Sequence, residues 1–409
     1  MKKLSGVLLS TVVCATLASA GAVEAQFEAP KDTSAFDKVE VGLGANLTFN
    51  YQGLDHSYTP TAGTATELQA GFILPTADFV MKAKILSGFN MYMKTMLSSH
   101  HHQDTYAQGG YATMDNLDFV YPGFLSGFMD NATIKMGVAM PNIGDDHFSR
   151  TMNAEVMTNP FVNNVAVDLY MDAPFLEVLY RLPAANMFVL GGYTTGQVNP
   201  TDVLDTSGSA APMLYGKIGF DKQLSEALRV RLTESVVYVS GTNTSHNSLF
   251  SGDKAGDLAA LIYGTSSSAG RSTGWKPFSF NDLTVSMTNA FVKYNNTELT
   301  GMYQYATGSL GTDDVTMNHY TVGALQRFGA NNRFYVAARY ENAVVDNDLV
   351  AGEQELTQTQ IALGWFLSKN AMMKIEYIKQ ERENIAVSGV HTSAPAEFDG
   401  YMIQAALSF

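Results

Sequence analysis

Hydrophobic and polar residues alternate with a period of two along most of this chain. At the C-terminus, one face of the alternation carries Tyr401, Ile403, Ala405, Leu407 and Phe409. The same pattern recurs over 41–51, 134–140, 176–182, 230–238, 334–341, 360–367 and 373–377. Successive side chains of a β-strand point to opposite faces, so each segment predicts a strand with one apolar face.

The strands and their connections together predict a transmembrane antiparallel β-barrel. Segments of about ten residues that alternate apolar-out and polar-in, with aromatic residues near their ends, are typical of such barrels. The barrel must be closed, because an open sheet edge would leave backbone groups without partners in lipid. Short turns are predicted at 183–186, 329–332 and 368–370, and long loops at 52–64, 98–110, 142–172, 197–211, 241–279, 306–317, 343–355 and 383–398. We expect the turns on the periplasmic side and the loops on the external side.

The number of strands depends on the segment 142–172, where the alternation breaks at Asn159 and at Asn163. If this segment is one long loop, the all-β barrel has sixteen strands. If Val165–Tyr170 is a membrane strand, a partner is needed, for which Leu258–Tyr263 is the best candidate, and the barrel has eighteen. We favour sixteen strands, a number that also brings both chain termini to the periplasmic side.

The first 25 residues predict a secretory signal peptide. Lys2 and Lys3 precede an apolar stretch, Val7–Ala18, and small residues follow at the spacing of a cleavage site. We favour cleavage after Ala25 over cleavage after Ala20. Export together with a transmembrane barrel predicts a location in the outer membrane of a bacterium.

The predicted domains are therefore a signal peptide (1–25), a short periplasmic segment (26–40) and the barrel (41–409). The single cysteine, Cys14, lies in the signal peptide. This excludes a disulfide framework and a cysteine-based metal site in the exported chain. Only 16% of the residues are charged, and 11% are aromatic, so the composition also argues against disorder.

The net charge of −14 hides an unequal distribution of basic and acidic residues. From the alternating faces we expect ten basic residues to line the pore: Lys82, Lys84, Lys135, Arg181, Lys217, Arg229, Arg231, Arg327, Arg339 and Lys374. The expected lumen acids are fewer: Asp118, Glu177, Glu298, Glu341 and Glu376. Lysine and arginine rings inside a pore raise the local concentration of anions. The alternative is that the lumen charges pair with one another, as Arg339 with Glu341 and Lys374 with Glu376.

The segment 142–172 is expected to be a constriction loop. At about thirty residues it is long for a connection without secondary structure, which suggests a function. Its candidate constriction residues are Asp145, Asp146, His147, Arg150 and Glu155. Folded into the barrel, it would bring acids against the basic wall, leaving Lys135, Arg229, Arg231 and Arg327 to set ion selectivity. The alternative is that it caps the outside of the barrel.

The stretch Ile134–Pro141, which runs into Asn142-Ile143-Gly144, resembles the phosphate-selective porin type of bacterial outer-membrane porins. In that family a Lys- or Arg-bearing strand ends in Gly-x-x-x-Pro before the loop that folds into the channel. The closing strands around Leu363–Ser368 and Lys374–Tyr377 are also similar to that family. Two features depart from it: the arginine ladder is thinner, and Arg150 stands alone in the third loop.

The resemblance supports a general porin better than a phosphate-specific one. It implies passive diffusion of small hydrophilic solutes and ions, contact with outer-membrane lipid and a homotrimer. The lumen charges add an expected anion preference. Two other functions stay open: a substrate-specific channel for phosphate or sugars, and a structural or adhesive surface barrel whose acidic loops bind a partner.

Other chemistry has little support. A catalytic Ser–His pair of the outer-membrane phospholipase kind needs both residues on one outward surface, whereas His147, His246, His319 and His391 fall in loops or at strand ends. We expect no enzyme and no cofactor. The run 100–102 and the triplet 145–147 contain metal-ligand residue types, but solvated loops often carry such runs, and we expect no metal. With 39 acidic against 25 basic residues, nucleic-acid binding is not expected.

Overall fold

The computed structural model describes residues 25–32, 34–59, 67–73, 77–97, 105–150, 155–195, 213–239, 249–250, 274–275, 277, 280, 282–310, 312–348, 352–387, 390–391 and 395–409. The strands are β1 (Glu40–Ser57), β2 (Gly71–Ile73), β3 (Ala77–Leu86), β4 (Phe89–Leu97), β5 (Thr105–Met114), β6 (Ala132–Ala139), β7 (Ala173–Leu182), β8 (Met187–Thr194), β9 (Met213–Gln223), β10 (Leu228–Val239), β11 (Asp282–Tyr294), β12 (Thr297–Leu310), β13 (Asp313–Phe328), β14 (Phe334–Asn347), β15 (Gln354–Ser368), β16 (Ala371–Glu383), β17 (Ala386–Val387), β18 (Val390–His391) and β19 (Ala396–Ser408). The helical elements are α1 (Ser126–Met129) and single 3-10 turns at Asp146–Phe148, Pro183–Ala185 and Ala330–Asn332. No helix in these ranges is long and apolar enough to cross a bilayer.

The strands form a closed antiparallel barrel with sixteen strand positions. Each strand pairs with its neighbour in the chain, and β19 pairs with both β16 and β1. β2 and β3 share one position in the wall, because β2 pairs with β1 at Asn50–Gln52 and β3 pairs with it at Glu40–Leu47. β17 and β18 form a separate small hairpin. The prediction of sixteen strands is confirmed.

The barrel closes where the first and last strands meet. Phe409 donates its backbone N–H to the Ala45 carbonyl at 3.0 Å, and the Ala45 N–H returns a bond to the Phe409 carbonyl at 3.1 Å. The C-terminal residue is therefore hydrogen-bonded into the wall, which leaves no free strand edge at the seam.

Alternation along each strand separates an outer face from a lumen face. The outer face exposes large apolar side chains, among them Val322, Leu363 and Leu407. Phe334 stacks between Phe328 and Trp365, at centroid distances of 5.9 and 6.0 Å. Aromatic residues of this kind favour the membrane–water interface. The outer face is thus an apolar belt with an aromatic border.

Several external connections are shorter than the sequence predicted. The loops expected at 306–317 and 343–355 shrink because β12 runs to Leu310, β13 starts at Asp313, β14 runs to Asn347 and β15 starts at Gln354. The loops expected at 52–64, 98–110 and 383–398 also lose residues to the neighbouring strands. Polar residues continue the backbone ladder here, because pairing does not require an apolar face. Residues 1–24, 98–104, 197–211 and 251–273 lie outside the described residues. They include all but the last residue of the expected signal peptide, the run 100–102 and Leu258–Tyr263, the strand of the eighteen-strand alternative.

One periplasmic connection is longer than a turn. Between β5 and β6, Phe119 packs edge-on against Phe89 at 5.5 Å, and Phe128 stacks on Tyr180 at 5.4 Å. The connection therefore folds against the outer surface of the barrel. Asp118 was expected in the lumen but is exposed in this connection, because β5 ends at Met114 and the alternation no longer fixes its side.

The external half of the lumen contains an apolar core that the sequence analysis missed. Lumen-facing residues of β10 to β15, such as Val237 and Val285, are fully buried there. Trp275, from the connection between β10 and β11, donates its backbone N–H to the Ala166 carbonyl at 2.7 Å and packs in the same cluster. The described residues of this connection thus fold inward, in contrast to the external loop expected at 241–279.

Candidate functional site

The ten basic residues predicted to line the pore all lie on the lumen face of their strands. They do not form one uniform basic wall, however. The structure divides them into a cluster at Arg231, a group that holds the third loop, a group near the periplasmic end, and two lysines on β3 and β6.

Arg231 on β10 is the centre of the first cluster. Its guanidinium donates two hydrogen bonds to Asp145, both 2.9 Å long. It also lies 2.8 Å from a Glu28 oxygen and 3.2 Å from Asp221. A bidentate guanidinium–carboxylate pair is among the strongest polar contacts in proteins. Arg231 is buried, and its positive charge is balanced by these carboxylates.

Two further cations join the same cluster. Lys217 lies 2.7 Å from Asp145 and 3.2 Å from Glu28. Arg229 lies 2.7 Å from Asp221. Three cations therefore meet three carboxylates, and the formal charge of the cluster is zero. Arg229 and Arg231 were predicted from the sequence to set selectivity. The structure instead gives them acidic partners, of which Glu28 and Asp145 come from segments remote in sequence.

The N-terminal segment is the source of one of these partners. Residues 27–29, 32 and 34 contact lumen-facing side chains, whereas the sequence predicted 26–40 as a short periplasmic segment. Glu28 reaches Arg231, 203 residues away in the chain. Phe27 packs edge-on against Phe148 and Phe291, at 5.6 and 5.4 Å. Phe27 therefore contacts lumen rings and guanidinium groups, while Glu28 beside it contacts the guanidinium of Arg231.

The third loop lies inside the barrel over its described parts, 142–150 and 155–172. Glu376 on β16 accepts backbone hydrogen bonds from Val162 at 2.6 Å and Asn163 at 3.2 Å. Glu341 on β14 accepts bonds from the N–H groups of Ala166, at 2.8 and 3.0 Å, and of Val167, at 2.9 Å. The wall carboxylates thus bind a loop backbone that has no strand partner of its own.

Basic wall residues bind the carbonyls of the same loop. Lys374 donates to Val156 at 2.8 Å and to Phe161 at 3.1 Å. Arg339 donates to the Asn163 carbonyl at 3.0 Å. The alternative left open by the sequence was that Lys374 pairs with Glu376 and Arg339 with Glu341. In the structure all four side chains hold the loop backbone.

Apolar contacts complete the docking of the loop. Val156, Met157 and Phe161 are buried against lumen residues such as Tyr335 and Phe366. Burying side chains of this size stabilises a docked segment by about 1.5–3 kcal/mol each. The described part of the loop is therefore a packed component of the barrel interior.

The other residues predicted for the constriction loop have distinct environments. Asp145 pairs with Lys217 and Arg231 as above; burial raises its pKa, but these two cations outweigh burial and hold the pKa well below its ordinary value. Burial raises the pKa of Asp146 and lowers the pKa of His147 well below its ordinary value. Arg150 forms a buried ion pair with Asp168.

Glu155 lies near the part of the wall formed by β3 and β4, which carry Lys82 and Lys94. Burial raises its pKa to about 7, against the lowering effect of nearby Lys82 and Lys94. Its carboxyl is therefore poised to change charge near neutral pH. Among the described residues, no group of three or more His, Cys, Asp and Glu side chains could hold a metal ion.

Lys82 and Lys135 differ from the rest of the basic set. Lys82 is exposed and Lys135 is half-buried, and neither takes part in any ion pair among the described residues. The Lys135 ammonium lies 4.2 Å from the Tyr111 ring centre, and Lys82 lies 5.9 Å from that of Tyr92. A cation over a ring face is attracted by the ring but keeps its full charge.

The two tyrosines form a platform between these lysines. Tyr92 and Tyr111 occupy paired positions on β4 and β5 and stack at 4.8 Å. Gly137, opposite Tyr111 on β6, has a φ of +147°, and a Cβ there would lie 2.8 Å from the Tyr111 Cβ. Glycine is needed at this place for the close approach of the two strands.

The remaining predicted basic residues lie toward the periplasmic end. Arg327 pairs with Glu298 at 3.2 Å. Lys84 lies 3.4 Å from Asp32, and Arg181 donates to the Ala29 carbonyl at 2.6 Å. Two of these three cations thus contact the N-terminal segment.

Other charged lumen residues were not predicted. Lys94, Lys293 and Arg382 lie on lumen faces by their strand pairing. His319 was placed at a loop or strand end, but it lies within β13, buried between Gln304 and Glu341 at 3.0 Å from each. Alternation around Lys94 and Lys293 could have identified both; His319 was missed because the strand boundary was set too late.

The fold is similar to several solved outer-membrane barrels. The outer-membrane channel DcaP of Acinetobacter baumannii matches at a TM-score of 0.54 and 11% identity, over 91% of this chain and 98% of that one. The anion-selective porin from Comamonas acidovorans matches at 0.53 and 10%, over 91% and 100%. OmpT, an outer membrane protein of Vibrio cholerae, matches in its trimer form at 0.53 and 11%, over 91% and 100%.

At these identities the likeness establishes the fold alone. No protein-family model matches the chain, and no curated protein sequence matches it. The chain is a closed sixteen-stranded antiparallel barrel of the outer-membrane type.

Proposed function

We propose that this protein is an outer-membrane channel for passive diffusion of small hydrophilic solutes, with a preference for anions. The observation that carries the anion preference is the state of Lys82 and Lys135. These lysines face the lumen without a described carboxylate at ion-pair distance, whereas the Arg231 cluster is balanced by acids. Cations in a confined, low-dielectric space raise the local anion concentration.

The proposal differs from the selectivity set expected from the sequence. Of the four residues expected to set selectivity, only Lys135 remains in the proposed set, and Lys82 is added to it. Arg229, Arg231 and Arg327 contribute less because their fields are cancelled at contact distance by carboxylates. The path past β3 to β6 is accordingly the proposed route for solutes.

Planar-bilayer recording tests the proposal. The protein should give steady single-channel currents, and its reversal potential in a salt gradient should indicate anion preference. Lys82→Gln and Lys135→Gln should each move the reversal potential toward cations, and together they should move it further. Lys379→Gln is the matched control, since that lysine is exposed on the outer face beside Glu381 and should leave selectivity unchanged.

A specific observation favours a second candidate, a channel selective for organic anions. The stacked Tyr92–Tyr111 pair lies between the two lysines, so one solute could contact a ring and an ammonium together. Currents that saturate, or that are blocked by an added aromatic carboxylate, would support it. A barrel that gives no current would instead favour the structural or adhesive function.

The location and assembly are part of the proposal. The apolar belt on the outer face and its aromatic border support a location in the outer membrane. A homotrimer is supported by the trimer form of the similar Vibrio cholerae barrel. Mass measurement of the detergent-extracted protein tests the trimer.

A further inference from the structure

The N-terminal segment makes contacts that a periplasmic tail would not make. Over residues 27–34 it touches Lys84, Arg181, Lys217, Arg229 and Arg231, which are five of the ten lumen-facing basic residues predicted from the sequence. These residues lie on β3, β7, β9 and β10. The segment therefore spans from one side of the barrel wall to another.

The contacts begin at Phe27. Its ring centre lies 4.1 Å from the Arg231 guanidinium carbon and 5.2 Å from that of Arg229. The same ring packs edge-on against Phe148, at the start of the third loop, and against Phe291 on β11. Phe27 thus joins the segment to both the wall and the constriction loop.

Glu28 is the electrostatic centre of the segment. It forms a two-pronged contact with Arg231, at 2.8 and 3.0 Å, and lies 3.2 Å from Lys217. Burial raises the pKa of Glu28, but Lys217 and Arg231 outweigh burial and hold the pKa below its ordinary value. Glu28 is therefore ionised at neutral pH and cancels positive charge that the wall would otherwise present.

Lys31 and Asp32 fix the remainder of the segment. The Lys31 ammonium donates to the carbonyls of Asp115, at 2.8 Å, and of Ala132, at 2.6 Å, and also to that of Met129. The Asp32 N–H donates to the Asp115 carboxylate at 2.9 Å. These bonds tie the segment to the connection between β5 and β6.

Lys84 binds the same stretch from the other side. Its ammonium lies 3.4 Å from Asp32 and donates to the Ser34 carbonyl at 2.8 Å. A mobile tail would not form so many contacts at once, because each contact costs conformational freedom.

We propose that residues 26–32 and 34 form a second constriction element, an internal plug at the periplasmic side of the lumen, and that Glu28 is a selectivity-determining residue. The proposal rests on the channel function proposed above. Glu28 lowers anion preference by neutralising Lys217 and Arg231, while the backbone of the segment reduces the open cross-section. The pore is thus narrowed from the external side by the third loop and from the periplasmic side by the start of the exported chain.

Single-channel recording of two variants tests the effect on conduction. Glu28→Gln keeps the shape of the side chain and removes its charge, so the reversal potential should shift toward anions. Deletion of 26–34 should shift it in the same direction and also raise the conductance. Glu226→Gln is the matched control, because Glu226 carries the same charge in the exposed turn between β9 and β10. Unchanged selectivity in Glu28→Gln, together with unchanged conductance in the deletion, would overturn the proposal.

A labelling experiment tests the position of the segment without requiring current. Cleavage at the expected site after Ala25 would leave no cysteine, since Cys14 is the only one. Phe27→Cys and the control Asp37→Cys are therefore treated with a polymer-linked maleimide too large to enter the barrel. A plug predicts slow labelling at position 27 and fast labelling at the exposed position 37; equal rates would refute it. If no variant conducts but position 27 is protected, the channel function fails while the position of the segment stands.

Discussion

Arg231 holds Asp145 with two hydrogen bonds of 2.9 Å, although the two residues are 86 positions apart in the chain. One lies in the barrel wall, and the other begins the third loop. The same guanidinium also donates hydrogen bonds to Glu28 of the N-terminal segment and to Asp221 of the preceding strand, β9. Arg231 therefore acts as a joint between the wall and two inserted segments, and its removal should affect all three.

Arg231→Ala should destabilise the folded barrel by about 3–5 kcal/mol, because deleting one member of a buried ion pair leaves its partners without a counter-charge. The measurement is urea-induced unfolding in lipid vesicles. Arg333→Ala, which removes a guanidinium from an exposed turn, is the control and should change stability by less than about 0.5 kcal/mol. A wild-type-like unfolding midpoint for Arg231→Ala would contradict the role of the cluster.

Glu376→Ala should loosen the third loop. Three described hydrogen bonds from Val162 and Asn163 end on this carboxylate, and each bond to a charged group contributes about 1.5–3 kcal/mol. We expect higher and noisier single-channel conductance as the loop leaves its docked position. Glu381→Ala, on the outer face of the same strand, is the control. Conductance equal to wild type would show that this anchor does not hold the loop.

Channel behaviour should depend on pH through Glu155. Its pKa is raised to about 7, so the carboxyl is neutral below that pH and negative above it. Raising the pH from about 6 to about 8 should therefore reduce anion preference, since a new negative charge appears near Lys82 and Lys94. Glu155→Gln should remove this dependence. A wild-type pH profile in Glu155→Gln would assign the titration to another group.

The raised pKa of Glu155 also makes the folding stability depend on pH. A carboxyl whose folded-state pKa is raised binds its proton more tightly when folded, so folding is favoured below the ordinary pKa and this contribution is lost as the pH rises toward 7. The free energy of unfolding of wild type, relative to that of Glu155→Gln, should therefore be lower at about pH 8 than at about pH 5.

Arginine substitutions on the lipid face should depend on depth. Ile361 pairs with Ala338 and Tyr377 on the outer face, four residues from Trp365 of the aromatic border, so Ile361→Arg should cost about 2–4 kcal/mol. Leu407 lies two residues from the chain end, beside Ala371, so Leu407→Arg should cost only about 0–1 kcal/mol. Unfolding titrations of both variants give the comparison, and equal costs would place the membrane differently.

The sequence determined the barrel and the facing of its residues. In a strand, neighbouring side chains point to opposite sides, so a pattern such as Ile361-x-Leu363-x-Trp365 fixes which face meets lipid and which meets the lumen. Local geometry alone therefore predicted sixteen strands and the lumen side of all ten basic residues. Asp118 was misplaced because it lies four residues beyond the end of β5, where the alternation of a strand no longer applies.

Only the tertiary structure decided which of those lumen charges remain available to a solute. Arg231 and Lys135 follow the same alternation and are indistinguishable by pattern, yet one meets three carboxylates and the other meets tyrosine rings. The difference arises because Glu28 and Asp145 come from irregular segments, whose path through the barrel no periodicity encodes. Electrostatic cancellation depends on distances of a few ångström between residues far apart in the chain, and those distances exist only once the barrel has closed around its inserted segments.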